Sequence, residues 1–444
     1  MSMGRRQAEQ QPELWVPTAE LPRSPGHVFY EKLNRLLAEA GFDRHVEELC
    51  QPYYADGVGR ESIPPGIYFR MLLVGYFEGL GSQRGIAWRC ADSLSLRDFL
   101  GVPWNEATPD HSSLTKIRQR LPLAVHEQVF VFVLQLAQHK GLLRGKTVAV
   151  DATTLEANAA MRSIVRKDTG EDYQTYLKRL LAEEGVENTT AEEIRRFDRK
   201  RKKKASNKEW ESPADADSRI AKMKDGTTHL AYKAEHVVDL DSEFVLAAPV
   251  YPADQADPAT LVDSVLEAQV NLVRAGSEQE IEEAVADKGY HKAETLAECE
   301  HWNTRTYIPE PKRTTKRQGA GKPQAWRRAT AANRRRVKGA RSKRLQKKRS
   351  ELVERSFAHV CETGGGRRTW LRGLANVTKR YVVQVAAHNL GLLMRKLFGV
   401  GTPRSLQARG GLLVWAAGWL YGLAARGAGR NYRRRAYLGS AARA

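Results

Sequence analysis

Thr147-Val-Ala-Val-Asp151 and Glu283-Ala-Val-Ala-Asp287 restrict the fold more than any other segments of this chain. Each is a short apolar run closed by an aspartate, with Gly145 before the first and Gly289 after the second. Continuous apolar runs this short read as buried strands rather than amphipathic helices. Buried strands alternating with helical segments predict a mixed sheet flanked by helices. Each strand is expected to stop at its aspartate and deliver a carboxylate there. A later helical segment offers Glu354. Three acids at the ends of core elements, in a chain of net charge +20, point to metal-assisted chemistry on a phosphate backbone.

A chain of 444 residues carries two or three domains by the usual size rule. Cys50, Cys90, Cys299 and Cys361 form no CxxC pair, which argues against a zinc module or a disulfide scaffold and fits a reducing cytosol. The first residues are polar and lack an apolar signal core. The expected location is therefore the cytoplasm, in association with the nucleoid. Leu412 to Ala425 is apolar but shorter than the ~20 residues of a spanning helix. A buried or partner-facing helix is the favoured reading and no membrane is expected, with an interfacial anchor beside Arg430–Arg435 as the alternative.

The positive charge is concentrated. Of 72 Lys and Arg, 17 lie between Lys312 and Arg349, leaving 55 against 52 acids in the rest of the chain. That block contains no Asp or Glu. Such a tract repels itself and wants a polyanion. A solvated loop is the bland reading; contact with DNA phosphates is favoured, because the block lies between two candidate catalytic elements. The candidate contacts are Arg313, Lys316, Arg317, Arg327, Arg328, Arg334, Arg335, Arg336, Lys347, Lys348 and Arg349. Trp326 is either a base-stacking residue or packing.

Residues 1–24 read as a flexible tail, and 25–143 as a helical domain. Phe29, Leu33, Leu36 and Leu37 recur at helical spacing, and Pro64-Pro65 opens a second helix. Ser82 and Ser95 start two short helices, broken at Asp92-Ser93; a helix-turn-helix and a generic bundle fit this equally. Residues 144–400 read as the sheet domain, with insertions at about 160–225 and at 312–349. Thr190-x-x-Glu193 is a capping-box signature inside the first insertion. Tyr232–Val238 and Phe244–Val250 predict a hairpin, Asp257-Pro258 the cap of a helix, and 376–398 a long helix. Residues 401–444 hold the apolar segment and a basic tail.

Phosphodiester cleavage needs an activated water and a stabilised leaving oxygen, and two divalent ions ~3.5–4 Å apart supply both. Carboxylates suit hard Mg²⁺ or Mn²⁺. Taken singly, each acid has an ordinary explanation. Strand-end aspartates cap turns, helical glutamates are mostly solvated, and Glu351 lies one turn from Glu354 as a rival third acid.

Longer motifs decide more. VAVDATTLEANA (148–159), ADKGYHKAET (286–295) and VERSFAHV (353–360) with its trailing LRGLANVTKRYVVQVAAHNLGLLMR resemble the three acid motifs of a bacterial insertion-sequence transposase of the DDE type. LLVGYFEGLGSQRGIAWRC and TPDHSSLTKIRQRL (108–121) resemble the helical domain that precedes such a core. The resemblance runs from about residue 28 to 400. It implies an RNase H-like core after an all-α domain, with Asp151, Asp287 and Glu354 as catalytic acids and ligands of two Mg²⁺ ions, Mn²⁺ serving as substitute. Relatives often carry Y-(2)-R-(3)-E-(6)-K around the glutamate; here those positions are Lys347, Ser350 and Cys361.

The resemblance further implies an enzyme that binds terminal inverted repeats, cuts DNA to free a 3′-OH, and directs that hydroxyl at a target phosphodiester. It would work as a homodimer on double-stranded DNA, with Asp151 bridging both ions and Asp287 and Glu354 each completing one. Three alternatives are a stand-alone nuclease on the same core, a domesticated DNA-binding protein, and, ranked last, an RNA-binding protein.

Overall fold

The computed structural model describes residues 27–55, 61–186, 190–201, 205–223, 226–311 and 321–404. The tail at 1–24, the apolar segment Leu412–Ala425 and the basic run at 430–435 lie outside the described residues. So do Arg313, Lys316 and Arg317.

Seven helices come first: α1 (Val28–Glu39), α2 (Phe42–Cys50), α3 (Pro65–Glu78), α4 (Gln83–Asp92), α5 (Leu94–Leu100), α6 (His111–Arg120) and α7 (Leu123–His139). The expected signals start and stop several of them. Pro65 sits at the first position of α3, and Gly79 in the left-handed region ends it. The Ser82 side chain caps α4, and Asp110 caps α6. α3 is buried nearly all round, which explains its apolar composition. Its one cation, Arg70, is buried and bonded to Asp43, Asn34 and the Phe99 carbonyl, so it ties α1, α2 and the end of α5 together. Ser93 alone separates α4 from α5, a shorter break than the three- to four-residue turn of a helix-turn-helix.

The second part runs β1 (Thr147–Glu156), β2 (Val165–Arg166), α8 (Tyr173–Glu183), α9 (Ala191–Lys200), β3 (Trp210–Glu211), β4 (Arg219–Lys222), β5 (Thr228–Asp239), β6 (Val245–Ala247), β7 (Val250–Pro252), α10 (Asp257–Arg274), β8 (Glu283–Val285), α11 (Ala293–His301), β9 (Arg305–Tyr307), α12 (Gln324–Lys338), α13 (Ala340–Phe357) and α14 (Leu374–Phe398). The main sheet has the order β4-β5-β1-β8-β9, with β6 and β7 also pairing β5. β1 is antiparallel to β5 and parallel to β8, so the sheet is mixed. Helices cover both faces. Thr260 and Ser264 of α10 bond Glu235 on one face, and Ser356 of α13 bonds His236 on the other.

Two expectations change. β1 does not stop at Asp151 but runs on to Glu156, because β5 keeps pairing with it as far as Glu156↔Ala231. Its parallel neighbour β8 is the strand that stops. The cap of α10 is Ala256, and Asp257 with Pro258 forms its first turn. The basic block, in its described part, is two helices, which removes the solvated-loop alternative. Asn333 of α12 is fully buried and bonds Thr306 and both backbone groups of Ile308, fastening α12 to β9.

The first insertion carries α8, α9 and two small strand pieces. Its capping box at Thr190 and Glu193 is formed in both directions. One apolar core runs continuously from Phe29 to Val400, so the helical part and the sheet share an interior. α14 makes the join: Lys379 donates to the Arg118 carbonyl and His388 meets the Tyr76 hydroxyl. The four cysteines are buried and unpaired. Among the described residues no single helix is long and apolar enough to cross a membrane.

Candidate active site

Ala149 of β1 pairs with Val285 of β8 in parallel register, so Asp151 and Asp287 come level two residues further on. Both runs are apolar because both faces of these strands are covered; the aspartates come where β8 ends and the neighbouring strand is exposed to solvent. Asp287 then turns the chain, its Oδ1 accepting from the Gly289 amide at 2.7 Å. Gly289 is needed for space. A Cβ there would lie 2.9 Å from Asp287 Oδ1 and 3.0 Å from Asp257 Oδ2. Asp257, in the first turn of α10, therefore stands beside the two aspartates at the sheet edge.

Asp151 is about three-quarters buried, with 28% of its side chain exposed. Burial raises its carboxyl above the usual carboxylate range. The Arg349 guanidinium and the Ala152 amide pull it back down, while the charge of Asp287 pushes it up. Arg349 Nη1 donates to Asp151 Oδ2, and the Ala152 amide donates to Oδ1. The Tyr290 phenol is raised well above its ordinary range by burial first, then by the charges of Glu235, Asp257 and Asp151. The Tyr290 hydroxyl donates to Glu235 at 3.1 Å. Glu235 itself is fully buried and accepts from Lys233, Thr260, Ser264 and Tyr290. Lys233 also reaches Asp257, at 2.9 Å. A buried carboxylate of this kind is tolerable because both of its oxygens accept hydrogen bonds and Lys233 balances its charge.

α13 crosses the sheet with Arg349, Leu352, Val353 and Ser356 turned inward. Glu354 lies about 140° round the helix from Arg349 at ~100° per residue. It is exposed, and its Oε1 accepts from Ser350 Oγ at 2.8 Å. Glu351, the rival, is exposed and paired with Arg355. The fold brings Asp151 and Asp287 together, and Arg349, not a glutamate, is the α13 side chain that touches Asp151. Among the described residues no three His, Cys, Asp or Glu side chains form a group able to hold a metal ion. Asp257, Lys233 and Glu235 were not anticipated as neighbours of the site. A signal existed for the last two: they interrupt an otherwise apolar strand at alternate positions.

The basic residues divide into two sets. Arg328, Arg334, Lys348 and Arg349 pair with Glu300, Glu310, Asp241 and Asp151, and Arg336 donates to the Thr306 carbonyl. Arg327, Arg335 and Lys347 are exposed and form no ion pair among the described residues.

A mixed sheet with helices on both faces, with Asp151 on β1 and Asp287 two residues beyond the parallel β8, is the layout of an RNase H-like catalytic core. The comparisons with known proteins agree. Residues 143–390 match the Transposase DDE domain, and residues 19–120 match the Transposase domain (DUF772). The chain belongs to the DDE transposase family: it is an insertion-sequence transposase, a DNA-cleaving and DNA-transferring enzyme whose partner is DNA. No curated protein matches it.

Proposed function

We propose that this transposase binds the terminal inverted repeats of its element, cuts a phosphodiester to free a 3′-OH, and joins that end to target DNA. The observation that supports the reading is that Asp151 lies on β1 two residues past Ala149 and Asp287 two residues past Val285, its partner on the parallel β8.

Carboxylate oxygens at this edge are the hard donors that Mg²⁺ or Mn²⁺ takes, usually one or two with substrate phosphate completing the shell. Asp151 and Asp287 would hold such an ion, and Glu354, which faces solvent and accepts from Ser350, would join them as third acid only if α13 turned. Bound ions supply an activated nucleophile and a stabilised leaving oxygen. The chain's own part is positional. The Ala152 amide and Arg349 orient the Asp151 carboxylate, and the Gly289 amide orients that of Asp287. Until DNA and metal arrive, Arg349 supplies the positive charge that a half-buried carboxylate needs. Arg327, Arg335 and Lys347 extend outward to backbone phosphates, and two protomers hold two ends.

The test uses purified full-length chain, Mn²⁺, and pre-cleaved element ends with a supercoiled target. Joined products are expected from the parent and none from Asp151→Ala or Asp287→Ala, with end binding retained in both. Hydrolysis without joining would make the chain a nuclease. Unchanged cleavage in either variant would remove that residue from the site.

A further inference from the structure

A cavity of about 300 Å³ lies between α3, α4 and α6 on one side and α14 with the Trp370–Leu371 segment on the other. Its lining includes Arg84, Arg118 and Arg380 and no Asp or Glu. Arg118 is the informative residue. Its Nε and Nη1 are inaccessible to solvent and have no acceptor. A guanidinium does not shed its charge, so two buried, unpaired donors are a cost that an arriving anion would remove. The backbone carbonyl of the same residue accepts from Lys379, which places another cation beside it.

The rest of the wall mixes apolar and aromatic side chains, Tyr68, Tyr76 and Ile86 among them, with the neutral polar Ser82, Gln83 and Gln384 and with His111. At the mouth stands Trp370, 51% exposed. The Arg368 guanidinium lies over its ring at 4.8 Å. The indole edge fits against Gly81, where a Cβ would come 3.2 Å from Trp370 Nε1. An exposed indole with a stacked arginine is a surface on which a base can stack. The cavity is at the small end of ligand sites and too small for a duplex.

The site is tied to the strand that carries Asp151. The Glu156 amide donates to the Arg367 carbonyl at 2.9 Å, the Thr369 amide donates to the Glu156 carbonyl at 3.0 Å, and Asn158 donates to the Trp370 carbonyl at 3.0 Å. From Asp151 to Glu156 the strand covers roughly 17 Å, the axial length of about five stacked nucleotides. We infer that this cavity binds one unpaired nucleotide of the DNA strand, with its phosphate on Arg118 and its base on Trp370. This rests on the reading of Asp151 and Asp287 as the cleavage site only for which DNA enters; the pocket's own chemistry stands apart from it.

The experiment uses the full-length chain carrying Asp151→Asn, so that binding is read without cleavage. A single-stranded hexanucleotide with one 2-aminopurine is titrated in, and base fluorescence is followed. Quenching on binding is expected, with Arg118→Met and Trp370→Ala each weakening affinity at least tenfold and Arg118→Lys less. Trp370→Ala should leave affinity for a blunt duplex of the same sequence unchanged. Because Trp370 is half exposed, that variant keeps the fold, and thermal melting checks both. Equal affinity of parent, Arg118→Met and Trp370→Ala for the single strand overturns the inference. Competition by inorganic phosphate as effective as by a deoxynucleoside monophosphate also overturns it, leaving a bare anion site. Loss of cleavage by Asp151→Asn in parallel assays bears on the catalytic reading alone.

Discussion

Arg349 of α13 donates to Oδ2 of Asp151 on β1, so a cation already faces the carboxylate that the sheet presents at its edge. The pair joins residues far apart in sequence. It also occupies the oxygen that a divalent ion would seek. Arg349→Ala is expected to tighten Mn²⁺ binding in the absence of DNA by roughly fivefold, about 1 kcal/mol. Calorimetric titration of Mn²⁺ into both chains checks this; equal affinities would show that the guanidinium does not compete.

Asp151 is held above the usual carboxylate range, chiefly by burial. For a carboxyl raised on folding, the stabilising contribution is full below the unfolded pKa of ~3.9 and is lost as pH rises through the higher folded value. Asp151→Asn is therefore expected to match the parent near pH 3 and to exceed it at pH 7, by about 1 kcal/mol. Urea unfolding at the two pH values reads the difference. A variant less stable than the parent at pH 7 would mean that the Arg349 bond outweighs the burial cost.

Three buried histidines oppose it in sign. Burial lowers His126 to about 4 and His388 to about 3, and takes His236 well below its ordinary value. A depressed histidine contributes stability above the unfolded pKa of ~6.5, and that contribution falls away as pH drops toward the folded value. Each adds up to about 1.4 kcal/mol of lost stability per pH unit below ~6.5. Denaturant midpoints should fall steeply between pH 6.5 and 5. A flat profile across that window would mean these rings are protonated in the folded chain.

Arg327, Arg335 and Lys347 are three of the exposed cations of the basic helices that form no ion pair among the described residues, with Lys338, Lys343 and Arg344 the others. Replacing all three by Ala should reduce the slope of log affinity against log salt by about 2.7, at ~0.9 per phosphate contact. Arg334→Ala should change it less, because Glu310 already holds that guanidinium at 2.8 Å. An unaltered slope in the triple variant would place the DNA elsewhere. Removing the whole block is no test, since buried Asn333 fastens α12 to β9.

Much of the architecture was legible because it depends on local rules. Apolar runs announced β1 and β8, Ser82 capped a helix where expected, and the hairpin after Asp239 followed the pattern of Tyr232–Val238 and Phe244–Val250. The two aspartates were legible for the same reason, each closing a strand-like run. Strand length was not. Only the partner β5 extends β1 past Asp151 to Glu156. The helices of the basic block were not legible because they are charged nearly all round, and their stability comes from packing on β9 and β1 rather than from an apolar stripe.

Composition and pattern alone determined that this chain builds a helix-covered mixed sheet after a helical region, with Asp151 and Asp287 closing strand-like runs. Those features follow from side-chain periodicity, which acts over a few residues. Only the tertiary structure decided that Arg349 faces Asp151 while Glu354 turns to solvent, that Asp257 crowds Gly289, and that Arg118 is left without an acceptor in a cavity between the two halves. Such relations depend on how a helix is rotated against a sheet and how closely two layers approach. That rotation is set by the packing of the whole core, and no short stretch of the chain encodes it.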